Sequence, residues 1–334
     1  MRVFCDDNLA VDAIEGTPMN RFMVFLIAMA LSVPVFATDN IPHVVLTGTG
    51  ENEIAPHGEG NVYAPSVLID DGKWKMWYGG QGKDGHDRIS YAESIDGKQW
   101  QRIGVVLEDK TANHINDPSV IKVGSTFYMY FTRAETFVID RICVATSIDG
   151  IHWEQKGLAL DAGPEGAWDS LSVGRPSVIY DGGMFKLWYD GRKDFPLGTP
   201  VAGVPVSSNS HRYVGYATSK DGFNWQKQSD EPVFDNDAGG IDVKRLDDSY
   251  IMLYESHGGT RQARSPDGIQ WNDAGWLVRK SGQDVDLHGH VTPFLFVDDV
   301  NGMWLFIGAA RAASWDRNCI AILPLDLEFL KLRK

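Results

Sequence analysis

Cysteine is scarce in this chain, with three residues in 334. Cys5 stands near the beginning, and Cys143 and Cys319 sit far apart in apolar, strand-like runs. That excludes the dense disulfide framework on which small secreted domains rely. No Cys/His array has the spacing of a zinc site, so Cys143 and Cys319 are expected to be buried free thiols. Basic charge is also short. Thirty-one Lys and Arg stand against 45 Asp and Glu, a net charge of −14. A nucleic-acid partner requires a basic face, and an anionic membrane surface requires one too. Long apolar runs are missing as well. The uncharged stretch 22–36 falls short of the roughly 20 residues that cross a bilayer.

That stretch reads as a secretion signal. Arg21 precedes it, and Val35 and Ala37 provide the small residues a signal peptidase needs. Cleavage after Ala37 is expected, with residues 1–18 upstream of a start at Met19. Residues 1–37 are then removed, and 38–334 form one domain. The expected location is secreted or periplasmic, with no membrane partner after cleavage.

Glycine and tryptophan are abundant, at 35 and 11 copies. The mixture suits short strands joined by tight turns. Four segments share the pattern S-x-D-G-x-x-W: Ser94–Trp100, Ser147–Trp153, Ser219–Trp225 and Ser265–Trp271. Asp and Gly make the turn, and the Trp packs back on the sheet. Upstream of each box is a hairpin pattern: APSVLIDDGKWKMWYGG from Ala64, DPSVIKVGSTFYMYFTR from Asp117, RPSVIYDGGMFKLWYDGR from Arg175 and IDVKRLDDSYIMLYES from Ile241. A fifth unit begins at Thr292 and lacks a box. Five repeats of four antiparallel strands predict an all-β, five-bladed β-propeller. The segment His43–Leu46 is expected to complete the fifth blade beside residues 320–323. A β-sandwich is the weaker alternative.

Propeller geometry sorts the polar residues. First-strand starts and second-strand ends ring one funnel, and the boxes fall on the opposite face. The funnel set is Tyr63, Asp117, Arg175, Asp242 and His290 from the starts. The ends supply Arg133, Asp190, Arg192, Glu255, His257 and Arg311. Polar clusters at such mouths are held by function.

YAPSV, NDPSV and GRPSV at strand starts, KMWYGG and KLWYDG on second strands, and boxes such as YATSKDGFNW give the chain a family likeness. Over roughly residues 45–325 it resembles the five-bladed propeller glycosidases, the arabinanase/β-xylosidase and invertase/levanase families. The resemblance implies a glycoside hydrolase with a base Asp in blade one, a pKa-tuning Asp in blade two and an acid Glu in blade three. Asp117 matches the blade-two position, whereas Ala64 and Arg175 stand where the other two carboxylates belong. Asp242, Glu255 and Asp169 are replacement carboxylates. Glycoside hydrolysis uses an acid and usually a base about 6.5–9.5 Å apart for inversion. The expected catalytic set is therefore Asp117 and Asp242 as the base and its partner, in either order, with Glu255 as acid. A carboxyl facing other carboxylates should have the raised pKa an acid needs.

Arg133, Arg175, Arg192 and Arg311 converge on the same mouth. Guanidinium forks bind carboxylate or sulfate in bidentate fashion, so an acidic or sulfated glycan is the expected substrate, attacked from its end. The bland alternative is that these arginines neutralise the funnel's own Asp and Glu. Trp168 and Tyr63 are candidate sugar-stacking rings. By the resemblance, His290 reaches an ion or water on the channel axis, though no cofactor is required and no metal site is expected; His288 reads as structural. Residues 193–211 form an irregular insertion that overhangs the funnel. A phosphorylase on a similar propeller and a non-catalytic glycan-binding propeller are the alternative functions.

Overall fold

Turn chemistry cuts the chain into strands. Asp71-Gly72, Gly124, Gly182-Gly183 and Gly302 take positive φ between strands of aromatic and β-branched residues. In a computed structural model, the described residues are 40–48, 60–82, 84–134, 139–199 and 201–326. They belong to one compact unit, Asp39–Lys334. The expected leader, its cleavage point and Cys5 lie outside the described residues.

Five four-stranded antiparallel sheets form a five-bladed propeller, as the repeats predict. Blade one is Asn61–Asp70, Lys73–Gln81, Asp87–Ser94 and Gln101–Leu107. Blade two is His114–Val123, Thr126–Ala134, Asp140–Ser147 and Glu154–Leu160. Blade three is Ser172–Asp181, Met184–Arg192, Tyr213–Ser219 and the short Gln226–Lys227. Blade four is Asp242–Leu246, Ser249–Tyr254, Gly259–Ser265 and Asn272–Arg279. Blade five is His290–Asp298, Gly302–Ala310 and Asn318–Leu325, completed by His43–Leu46, with His43 opposite Ile322. An N-terminal strand thus closes the ring as the outer strand of the last blade.

The core lies between blades. Trp77 and Tyr91 of blade one pack with Phe127 and Met129 of blade two, and comparable clusters fill the other four junctions. Cys143 and Cys319 are buried and, among the described residues, form no disulfide, as expected. The boxes take part in this packing. In the first, Ser94 Oγ accepts the Gly97 N–H (3.0 Å), Asp96 Oδ1 accepts the Lys98 and Gln99 N–H groups, and Trp100 Nε1 donates to the Gly97 carbonyl. Each box carbonyl in blades two to four also takes a donor from the preceding blade. Trp77 Nε1 reaches Gly150 O at 2.7 Å, Tyr130 Oη reaches Gly222 O at 2.8 Å, and Trp188 Nε1 reaches Gly268 O at 2.7 Å. Gly150 is required there. Its φ is +80°, and a Cβ would stand 2.7 Å from the Trp77 ring.

Candidate active site

The funnel is organised by a kink repeated in every blade. Ala64, Asp117, Arg175, Gly240 and Thr292 adopt φ of +50°, +50°, +46°, +55° and +42°. Four of them precede a proline. Pairing slips at the kink, between Tyr63/Ser66, Asn116/Ser119, Gly174/Ser177 and Val291/Phe294. Left-handed backbone is costly for residues with a Cβ and collects at functional sites. Here it turns five residues onto the axis, where they line a narrow well of about 30 Å³.

Two sets of inter-blade hydrogen bonds hold the kinks. In the first, a side chain at or just past the end of the preceding blade's second strand accepts the kink's N–H. Arg175 N–H donates to Thr132 Oγ1 (2.8 Å), Gly240 N–H to Asp190 Oδ2 (3.0 Å) and Thr292 N–H to Glu255 Oε2 (3.0 Å). At the closing junction Ala64 N–H donates to Thr292 Oγ1 (2.8 Å). In the second, Ser66, Ser119 and Ser177 accept the N–H groups of Val120, Val178 and Val243 in the next blade. Asp242 occupies the equivalent position in blade four and accepts Leu295 N–H at 2.7 Å; its other oxygen pairs with Lys244 Nζ at 2.6 Å. The Asp242 carboxylate is therefore taken up by the blade junction.

These rings revise the axial register read from the sequence. Gly240 and Thr292, not Asp242 and His290, are the kink residues of blades four and five. His290 lies two residues before the kink, where its main chain pairs with Ala309 and its ring turns into the protein. It is fully buried, with Nδ1 2.8 Å from Thr260 Oγ1 and Nε2 3.1 Å from Asp286 Oδ2. Both ring nitrogens are thus engaged away from the axis.

The remaining residues divide into those at the mouth and those apart from it. Arg175 forms a bidentate pair with Asp190, Nε to Oδ2 at 2.5 Å and Nη2 to Oδ1 at 2.8 Å. Glu255 Oε1 pairs with Arg212, a residue that no sequence motif marks. Arg192 lies over the Phe195 ring at 4.7 Å and, among the described residues, forms no ion pair or side-chain hydrogen bond. Burial, and then Arg175 beside it, bring its pKa down to about 10. Arg192, Arg212, Glu255 and His257 share a cleft of about 660 Å³, within the usual size of small-molecule sites. Tyr63 is buried beside the axis, its hydroxyl accepting from Asn116 Nδ2 at 2.9 Å. Arg133 bonds Asp109 and Thr111 instead. Asp169 holds Lys227 Nζ at 2.6 Å and the Tyr189 hydroxyl at 3.0 Å, and Trp168 stacks on Tyr189. Arg311 is exposed on the blade-five loop. The described part of the insertion carries the pairing of Phe195–Pro196 with Val206–Ser207.

Burial raises two carboxyls, Asp87 at the start of blade one's third strand to about 6 and Asp117 on the axis further. Asp117 is pushed up to about 7, first by burial and further by Asp140, although Arg175 opposes the rise. Asp140, at the start of blade two's third strand, moves the other way. Burial works against its ionisation, but the His114 hydrogen bond and Arg175 hold it below the usual carboxylate range. Glu255 is likewise held low by Arg212 and then Arg175, against its burial. Neighbouring carboxyls driven apart in this way suit an acid and a base. Among the described residues no group of three or more His, Cys, Asp or Glu is arranged to hold a metal ion.

No protein-family model matches the chain. An uncharacterized protein of Mycobacterium tuberculosis is 32% identical over 139 residues, covering 38% of this chain and 45% of that protein. A 1,2-beta-oligomannan phosphorylase of Thermoanaerobacter sp. is 33% identical over 113 residues, covering 30% and 38%. The alignments thus span less than half the length of these relatives. Among solved structures, BT0996 in its RGII complex superposes with a TM-score of 0.65 at 19% identity, over 86% of this protein and 92% of that one. A member of the mannoside phosphorylase family that contains glycoside hydrolases targeting β-1,2-mannosidic linkages in Candida mannan gives 0.61 at 16%, over 84% and 91%. The protein therefore has the five-bladed propeller fold found among glycoside hydrolases and mannoside phosphorylases.

Proposed function

We propose that this protein is a carbohydrate-active enzyme, a glycoside hydrolase that cleaves an anionic glycan at the funnel mouth. Asp117 is the general acid. The observation that carries this reading is a buried carboxyl on the propeller axis with a pKa of about 7, able to give a proton to a departing glycosidic oxygen near neutral pH. Asp140, ionised beside it, is the partner that draws a proton from water. The roles expected from sequence thus shift: Asp117 acts as acid, and Glu255 stays ionised in its pair with Arg212. Arg192, without a carboxylate of its own, receives an acidic or sulfated group of the substrate. Direct displacement of the leaving group by water makes the reaction inverting, with the glycan attacked from its end. The leader expected at residues 19–37 delivers the enzyme outside the cytoplasm.

Phosphorolysis is the second reading. Arg192 is equally suited to an inorganic phosphate, and a phosphate nucleophile needs no base. The sequence match to an oligomannan phosphorylase favours it. Incubation with desalted acidic and neutral oligosaccharides, with and without phosphate and read by mass spectrometry, separates the two. Free sugar without phosphate supports hydrolysis, and sugar phosphate formed only with phosphate supports phosphorolysis. Glycans bound but never cleaved would refute catalysis.

A further inference from the structure

Eight non-glycine residues take left-handed φ among the described residues. Four form the axial ring, and Asp71 and Asp247 make hairpin turns. The other two, Asp237 and Trp315, both line the cleft that holds Arg192. Aspartate adopts this backbone readily, whereas a bulky residue such as Trp315, at φ +58°, rarely does. The surroundings hold it there. Its N–H donates to Ala312 O at 3.0 Å, its carbonyl accepts from Asn318 Nδ2 at 2.7 Å, and its indole Nε1 donates to His288 O at 2.9 Å. The His257 ring lies against the indole at 4.2 Å between centroids. His257 is steadied in turn by its Nδ1, 3.2 Å from the same His288 carbonyl. A half-buried indole is thus locked in place on a cleft wall, its polar edge satisfied and one ring face covered.

We propose that Trp315, backed by His257, is the stacking platform for a sugar ring of the substrate in this cleft, on the blade-five side of the Arg192 anion site. Aromatic rings present a large, rigid face at little entropic cost, and pyranose C–H groups are the apolar surface such a face accepts. Strain held at this one position fits preorganisation for a ligand. The inference rests on the funnel being a glycan site and adds which surface grips the sugar.

Steady-state kinetics on the substrates turned over by wild type, with W315L and W315F, test it. Leucine keeps apolar bulk without a π-face, and phenylalanine keeps the face without the Nε1 donor. W315L is expected to raise KM about tenfold, with kcat falling less than threefold. W315F should recover most of the loss. W315L with wild-type KM on every substrate would overturn the platform, as would W315F as impaired as W315L, because the effect would then belong to the His288 anchor. A wild type that neither binds nor cleaves any glycan would overturn the funnel reading and this inference with it. Cleavage by wild type with W315L unchanged overturns this inference alone.

Discussion

Replacing Asp242 separates a structural carboxylate from a catalytic one. In D242A the Leu295 N–H, buried with its residue at 0% exposure, loses the acceptor 2.7 Å away. An orphaned buried donor costs about 1–3 kcal/mol. The Lys244 pair at 2.6 Å, partly open to solvent, adds up to about 1 kcal/mol. A loss of roughly 1–4 kcal/mol is expected. D242S should recover most of it, because Ser66, Ser119 and Ser177 do the same work in blades one to three at 2.8–3.0 Å. Guanidinium denaturation monitored by tryptophan fluorescence gives the stabilities, and oligosaccharide turnover gives the function. D242S is expected to remain within a few fold of wild-type activity. Loss of turnover in D242S with wild-type stability would return Asp242 to the catalytic set, and D242A as stable as wild type would refute the junction role.

Three further outcomes follow from the same geometry. Asp117 has a folded pKa of about 7, above its ordinary value of 3.8; burial therefore favours its protonated form, and that contribution to stability is lost as pH rises through about 7. D117N should accordingly be more stable than wild type at pH 8, by at most roughly 4 kcal/mol, and close to it at pH 4; equal melting curves at both pH values would contradict the buried-acid assignment. R192M should weaken turnover of anionic substrates at least tenfold and spare neutral ones, checked by kcat/KM on matched pairs, and equal loss on both would remove the anion role. G150A should destabilise by about 2–4 kcal/mol, since the new methyl meets the Trp77 ring at 2.7 Å, whereas G72A, with open space around its Cβ, should cost only the backbone strain; similar melting temperatures for the two variants would contradict the close packing of Trp77 on Gly150.

The fold was legible because its signals repeat locally. The S-x-D-G-x-x-W turn satisfies itself within seven residues, so its sequence cannot drift without losing the turn. Closure by His43–Leu46 was also readable, as an apolar run lacking a local partner. The site was less legible because it depends on register within the kink. One residue decides whether a side chain faces the axis or the next blade, and without a proline blade four conceals its frame: Gly240 takes the axis and Asp242 takes the serine's place. Asp140 begins a third strand and Arg212 immediately precedes one, where no motif marks them, and the ion pair with Glu255 and the contact with His114 expose their roles. Of the four arginines expected at the mouth, Arg192 lines the cleft and Arg175 the axial well, whereas Arg133 bonds Asp109 and Thr111. Which of them forms an ion pair depends on spatial neighbours, since Arg175 is matched by Asp190 across one hairpin while Arg192, among the described residues, lies over the Phe195 ring without an ion pair.

The proton-donor role of Asp117 is tested most directly by comparing D117N on two substrates with the same glycone, one with a sugar leaving group and one with an activated aryl leaving group. Wild type should show an alkaline limb in kcat near pH 7. D117N should lose about 10²–10⁴-fold on the sugar leaving group, lose that limb, and approach wild-type rates on the aryl glycoside, whose departure needs no proton. An equal loss on both substrates, or an unchanged alkaline limb in D117N, would contradict the assignment.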